Sequence, residues 1–392
     1  MTAGPTEQSG VLTNINENTQ FEDLSGKLMI IGHKEKSLFG HLPMAPDAAD
    51  WKHIWQEDEY RTNVLTLGVS ISAGATSMTV PSADQTKYRV DEFIRMDSED
   101  CLVTAVSGTT VTITRAQHGT SAAAHTSADA VILMGRTVLP TSAWPTAGAT
   151  VRSEEYNVVE HFHTPIAVSD LKQMSAQPGG AEMPYQRAKQ WVEHINDIEY
   201  AALYQSRADL TATIRGALGG IIPWISTNIT TASATDSTTA ALTYAIFEGW
   251  LADIWQASGS TPDLLVINGT AAKTLAGFGY AKFETNKVGP QGLGLEITTW
   301  MGPFGRQQIL MSNKLDSRPL GKASARGVIL AINRKFMGWS WMQSQSGEMG
   351  RTHLETKAKT GPQETKVITS ALTLERRHEK AHGYLYGFHV NG

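Results

Sequence analysis

Cysteine is almost absent from this chain. Cys101 stands alone among 392 residues, so no disulfide framework can form within it, and an oxidising, secretory setting gains no support. Charge of one sign is equally scarce. Lys and Arg number 33 against 38 Asp and Glu, a formal net charge of -5. No basic excess advertises a tight grip on nucleic acid. No run approaches the roughly 18 apolar residues that a membrane helix requires. The opening MTAGPTEQSG has no apolar stretch behind positive charge, as a signal peptide would. These absences lead us to expect a protein made and assembled in a cytoplasm.

Catalytic fingerprints are also missing. Gly277-Phe278-Gly279 has Lys282 where a dinucleotide loop needs its third glycine, and Gly292-Leu293-Gly294 has Ile297 there. There is no phosphate loop ending in GK[ST] and no GxSxG elbow. No cofactor is expected, and Cys101 reads as an inert strand residue.

What is present is organised in blocks. Residues 1–50 are polar and weakly patterned, as an arm would be. Residues 67–137 are rich in Val, Thr, Ser, Ala and Gly. Short alternating runs at Ser77 to Val80, Cys101 to Val106 and Thr110 to Thr114 are separated by turns such as Ser107-Gly108. That rhythm predicts a small all-β module, inserted into a chain of different style on both sides.

Residues 151–169 read as one long exposed strand. After Gly179-Gly180, apolar residues at Ala188, Trp191, Val192, Ile195, Ile198 and Ala202 predict a helix over 182–208 with one buried face. Pro184 sits harmlessly in its first turn. A loop over 216–240 is followed by a helix at 243–257 that Gly259 ends. Then come a buried strand DLLVIN, a helix capped by Thr270, a hairpin at Gly302-Pro303 and a strand run over 327–342. Two closing strands are expected at Lys366 to Arg376 and Ala381 to Phe388. The class is α+β.

Two patterns invite a metal. His378-Glu379-Lys380-Ala381-His382 reads HExxH, which on a helix puts two imidazoles on one face with the Glu as base. The third ligand fails: Leu385 and Phe388 occupy the positions of the extended pattern. The alternation around the motif also favours strands. His161 and His163 would share a face of a strand, but no Cys or carboxylate pair at ligand spacing accompanies them. No metal or catalytic residue is assigned. Among ten tryptophans, Trp191, Trp250 and Trp255 are expected in the core. Trp51, Trp55, Trp144 and Trp300 fall in loops or element ends. With Tyr60, Tyr156 and Phe162 they are the candidates for assembly contacts, because aromatic anchors are enriched at interfaces.

The order of parts resembles the Hong Kong 97-like capsid fold of tailed bacteriophages. The resemblance covers about residues 150–390. It is carried by His163 to Ser169 (HTPIAVS) leading into the long helix, and by Ile198 to Leu203 (IEYAAL) within it. Gly219-Gly220-Ile221, Trp224 to Asn228 (WISTN) and Thr373 to Gly383 (TLERRHEKAHG), similar to a closing hairpin, add to it. The resemblance implies a major capsid protein and not an enzyme. Residues 1–50 would be the N-terminal arm. Residues 51–66 and 138–170 would be the extended loop, with 67–137 as its inserted β domain. Residues 171–215 and 346–392 would be the peripheral domain with the spine helix, and 216–345 the axial domain. Copies would form hexamers and pentamers of an icosahedral shell around double-stranded DNA in a virion. Portal, scaffold or cement proteins would be partners, and a membrane would not. Rival readings are an encapsulin-like compartment, a tail or fibre protein, and a zinc peptidase built on HExxH.

Overall fold

The computed structural model describes residues 38–137, 152–175, 181–231, 241–278, 283–285, 297–320, 326–343 and 351–388. The chain forms two compact units. One comprises residues 1–55 and 155–392, and the other residues 56–154.

The first unit is built on a seven-stranded sheet in the order β10-β19-β15-β11-β14-β13-β12. Its strands are β10 (Ile229–Thr231), β11 (Leu264–Ile267), β12 (Phe283–Thr285), β13 (Ile297–Gly302), β14 (Gly305–Met311), β15 (Gly327–Ile332) and β19 (Gly383–Phe388). The central strands LLVI and GVILAI are apolar throughout because both faces are covered. Their side chains divide by parity. Leu264, Val266, Val328, Leu330 and Ile332 enter one core. Leu265, Ile267, Ile329 and Ala331 enter the other, under α4 (Tyr244–Ser258) and α5 (Gly269–Gly277). Gly259 ends α4 at φ 67°. The cap of α5 is Asn268, whose side chain accepts from Ala271 N–H; Thr270, the expected cap, lies inside the helix.

One bulge orders the end of this sheet. Gly327 pairs with Phe388 and Val328 with Tyr386, so Gly387 is the extra residue, at φ 90°. The bulge places Phe388 on the same core side as Leu385. A Cβ on Gly327 would lie 2.0 Å from the Phe388 ring, so only glycine fits there.

A second sheet carries the long strand β18 (Gln363–Arg376). It pairs with β16 (Met337–Trp341) at one end and β17 (His353–Thr356) at the other. Along its opposite edge β18 pairs over ten residues with β9 (Glu160–Ser169). The run at 327–342 is therefore two strands, broken at Asn333–Phe336 and shared between the two sheets. The stretch at 151–169 is also two strands. β8 (Ser153–Val158) pairs with β1 (Lys52–Glu57), and β9 begins after Val159 gives its N–H to Trp51 O.

The long helix α2 runs Glu182–Tyr204, four residues short of the expected end. Gln205 turns extended, donates its side-chain amide to Glu160, and Ala208 then pairs with Ala217. Its buried face also differs from the periodic stripe. Met183, His194, Ile198, Ala201, Ala202 and Leu203 are buried, whereas Ala188 and Val192 are exposed and Trp191 and Ile195 half-buried. Only the C-terminal half enters the main core; the N-terminal half lies against the β9 sheet, where Met183 and Trp191 meet Ile166 and Ile368. Residues 216–231 are not simply loop. Leu218, Ile221, Ile222 and Ile225 are core residues around the short helix α3 (Ile221–Trp224). Trp250 is core as expected, but Trp255 is 51% exposed, with its ring 6.4 Å from that of Phe304.

The chain before β1 docks on its own body. Pro43 to Ala48 run beside β16, with Ala45 N–H to Trp339 O and Ala48 N–H to Trp341 O. Phe39 rests on Trp339 and Trp341, and its N–H donates to Glu199 of α2. Residues 1–37 of the expected arm lie outside the described residues.

In the second unit six strands run in the order β2-β7-β4-β5-β6-β3. They are β2 (Val64–Thr66), β3 (Ser77–Thr79), β4 (Glu92–Met96), β5 (Glu99–Ser107), β6 (Thr110–Thr114) and β7 (Ala130–Arg136). Gly68 N–H, just past β2, donates to Thr79 O of β3 and so bridges the two outer strands of a barrel-like sheet. A Cβ at Gly68 would sit 2.8 Å from that oxygen, which explains glycine at the seam. The alternating side chains Val111, Ile113, Val131 and Leu133 point inward with Ile94, Met96 and Val103. Cys101 is buried among them, its thiol pushed up to about 12 by burial, so it is inert at neutral pH.

Candidate functional site

The HExxH residues do not sit on a helix. β18 belongs to one sheet and β19 to another. Arg377 to His382 carry the chain across, so the expected closing hairpin is a crossover. His378 takes a left-handed conformation at φ 51°, and Glu379–Ala381 form a single 3₁₀ turn. The two imidazoles thus lose the spacing that zinc requires.

Each motif residue has a structural task. Glu379 accepts from the N–H groups of Ser226 and Thr227 and from the Thr227 hydroxyl, and so clamps the loop after α3. His378 Nε2 donates to Ser258 O at the end of α4. His382 is fully buried; its Nδ1 accepts from Asn333 N–H at 3.3 Å, and Nε2 donates to Arg377 O at 3.3 Å. That pattern requires the neutral ring.

Burial pushes His382 down to about 4 from its ordinary 6.5. Between these values the unfolded chain holds the extra proton and the fold does not. The contribution to stability is therefore complete above pH 6.5 and is lost as pH falls toward 4. The gap corresponds to about 3 kcal/mol. Urea midpoints at pH 7 and pH 4.5 should show this loss in the wild type beyond that in His382→Gln. Equal slopes for the two proteins would refute it.

The aromatic candidates scatter. Trp55 and Trp300 are buried, Trp300 among Tyr244, Phe247 and Phe278. Phe162 is half-buried against the main core, edge-on to His194. Trp51 is half-buried beside β8. Tyr156 lies between Lys52 and Arg207, 3.6 and 3.9 Å from its ring centre, and donates its hydroxyl to Asp209. Tyr60 is fully exposed. Trp144 lies outside the described residues. The structure brings Trp51, Trp55 and Tyr156 to the β1–β8 ribbon; Tyr60, Phe162 and Trp300 stay apart.

His161 and His163 do share the exposed face of β9, with ring centres 5.7 Å apart. Among the described residues, one group of three side chains is close enough to share an ion: Asp97, His125 and Asp129. Sequence spacing gave little signal for it, because Asp97 comes from the β4–β5 turn and only His125 and Asp129 are near each other in the chain, both in the connection before β7.

The sequence model of the SU10 major capsid protein family matches residues 6–389. No curated protein matches the chain. Among solved structures, the capsid of Myoviridae phage XM1 is similar at 12% identity, TM-score 0.47, covering 94% of this chain and 97% of that one. Microbacterium phage Oxtober96 is similar at 9% identity, TM-score 0.45, covering 94% of each chain. The holo-SrpI encapsulin complex from Synechococcus elongatus PCC 7942 gives 14% identity and TM-score 0.43, over 61% of this chain and 78% of that one. No helix among the described residues is long and apolar enough to cross a membrane. With a family match over nearly its whole length and the mixed α+β architecture expected of a Hong Kong 97-like subunit, the chain belongs to the SU10 major capsid protein family.

Proposed function

We propose that this protein is the subunit of a tailed-phage head, forming hexamers and pentamers that close into an icosahedral shell around double-stranded DNA. The family match over residues 6–389 carries this reading. The work of such a subunit is association, and we assign it no catalytic role and no resident cofactor. Portal and scaffold or cement proteins are its expected partners, and the host cytoplasm is the expected place of assembly.

Within the shell, residues 51–66 and 138–170 act as the extended loop and 67–137 as a β domain inserted in it. Residues 171–215 and 346–392 serve as the peripheral domain, 216–345 as the axial domain, and residues 1–50 as the arm. Tyr60, with its ring wholly in solvent, is the best placed of the aromatic contact candidates. Trp51, Tyr156 and Phe162 present partial faces. Trp55 and Trp300 act from inside the fold by holding its shape.

Expression of the full chain alone, followed by sedimentation and electron microscopy, tests the reading. Capsomers or closed shells are expected. A monomer that stays dispersed at high concentration would overturn it. Particles from the native source should hold DNA; particles filled with one enzyme would make the protein an encapsulin-like compartment, and rods would make it a tail component.

A further inference from the structure

The barrel unit holds a polar cluster that its β architecture does not require. Asp97 occupies the two-residue turn between β4 and β5, at φ 50°. His125 is pinned by paired backbone hydrogen bonds with Ile71. Asp129 lies just before β7 and is oriented by the N–H and hydroxyl of Thr126. One ligand atom from each of the three falls within 4.8 Å of the others.

The His125 side chain is 1% exposed. Its Nε2 lies 3.1 Å from Glu99 Oε2, and its Nδ1 lies 3.0 Å from Asp97 Oδ2. Glu99 is itself fully buried and heavily engaged. It takes two hydrogen bonds from Arg115 and one each from Ala116 N–H and Ala123 N–H. Nε2 set against this carboxylate fixes the imidazole, with Nδ1 turned toward the aspartates. A buried carboxylate behind a histidine whose other nitrogen faces outward is the orienting arrangement found behind metal ligands.

The charge balance points the same way. Arg115 pairs with Glu99, while Asp97 and Asp129 bring two carboxylates to one imidazole. A dication would compensate both. One imidazole nitrogen and two carboxylates form an N/O donor set suited to zinc and its first-row neighbours. Calcium and magnesium favour all-oxygen shells. Asp97 is 66% exposed, which leaves an entry path and room for water ligands.

We propose that Asp97, His125 and Asp129 form a binding site for a first-row transition dication of zinc's class, with Glu99 orienting the imidazole. Bound there, the ion would tie the β4–β5 turn to the connection that runs from His125 to Asp129 before β7.

Calorimetric titration of the chelator-treated full chain with zinc tests this. One saturable zinc per chain is expected. The double variant Asp97→Asn, Asp129→Asn should bind at least tenfold more weakly, while His161→Ala, His163→Ala and His382→Ala keep wild-type affinity at this site. Because the double variant could fold poorly, amide exchange in the wild type provides a second measure. Zinc should slow exchange at Asp97–Glu99 and Thr126–Asp129 at least tenfold. Absence of saturable uptake, full affinity in the double variant, or unchanged exchange in those turns would overturn the site. In that case His125 is simply a hydrogen-bonded bridge between two carboxylates.

Discussion

Replacing Lys314 by Met should destabilise the first unit by about 3–5 kcal/mol, because the substitution strips a buried carboxylate of its counter-charge. Glu199 lies on α2 at 1% exposure, and the Lys314 ammonium donates directly to it. The same carboxylate accepts Phe39 N–H, so the pair also anchors the chain before β1. The effect should appear as a lower urea midpoint with an unchanged slope, and as faster proteolysis near residues 38–48. The double variant Glu199→Leu, Lys314→Met should recover much of the loss, since no buried charge remains. A wild-type midpoint in the single variant would show that the ion pair contributes nothing.

A loss of similar size is expected in the barrel from Arg115→Met. Arg115 is the main partner of Glu99, whose side chain has no exposed surface. The guanidinium also donates to the backbone oxygens of Ser72 and Ala123, so one side chain ties β6 to two loops. Removing it leaves Glu99 with backbone donors and His125 but without its arginine. By the same 3–5 kcal/mol scale, amide exchange in β4 and β5 should accelerate by about a hundredfold to several thousandfold. Exchange in β11 and β15, whose core is separate, should change little. Equal acceleration in both units would refute the independence of the barrel core.

Much of this architecture was legible in the residues. DLLVIN and GVILAI announced buried strands because both faces of that sheet are covered. The Val/Thr alternation at 110–114 announced the barrel wall because one face is wet. Helix α2 was visible from its period, but of its expected face only Ile198 and Ala202 are fully buried. Which side of an amphipathic helix is covered depends on how far the partner sheet reaches, and here that sheet leaves Ala188 and Val192 in solvent. The crossover at His378 was hidden for a related reason. Two consecutive alternating runs look like a hairpin whether or not they share a sheet, and here the left-handed His378 and the 3₁₀ turn after it carry the chain between sheets. The Asp97, His125 and Asp129 cluster was illegible because Asp97 reaches the other two only through the fold of the β4–β5 turn against the connection before β7.

The barrel's two chain crossings, β1 and β8, are paired neighbours. Adjacent strands lie about 4.8 Å apart, so departure and return occupy nearly one point. A cassette with close termini could therefore be spliced at this doorway without re-threading either sheet of the main body. The same geometry makes the position a natural port for displaying foreign sequence.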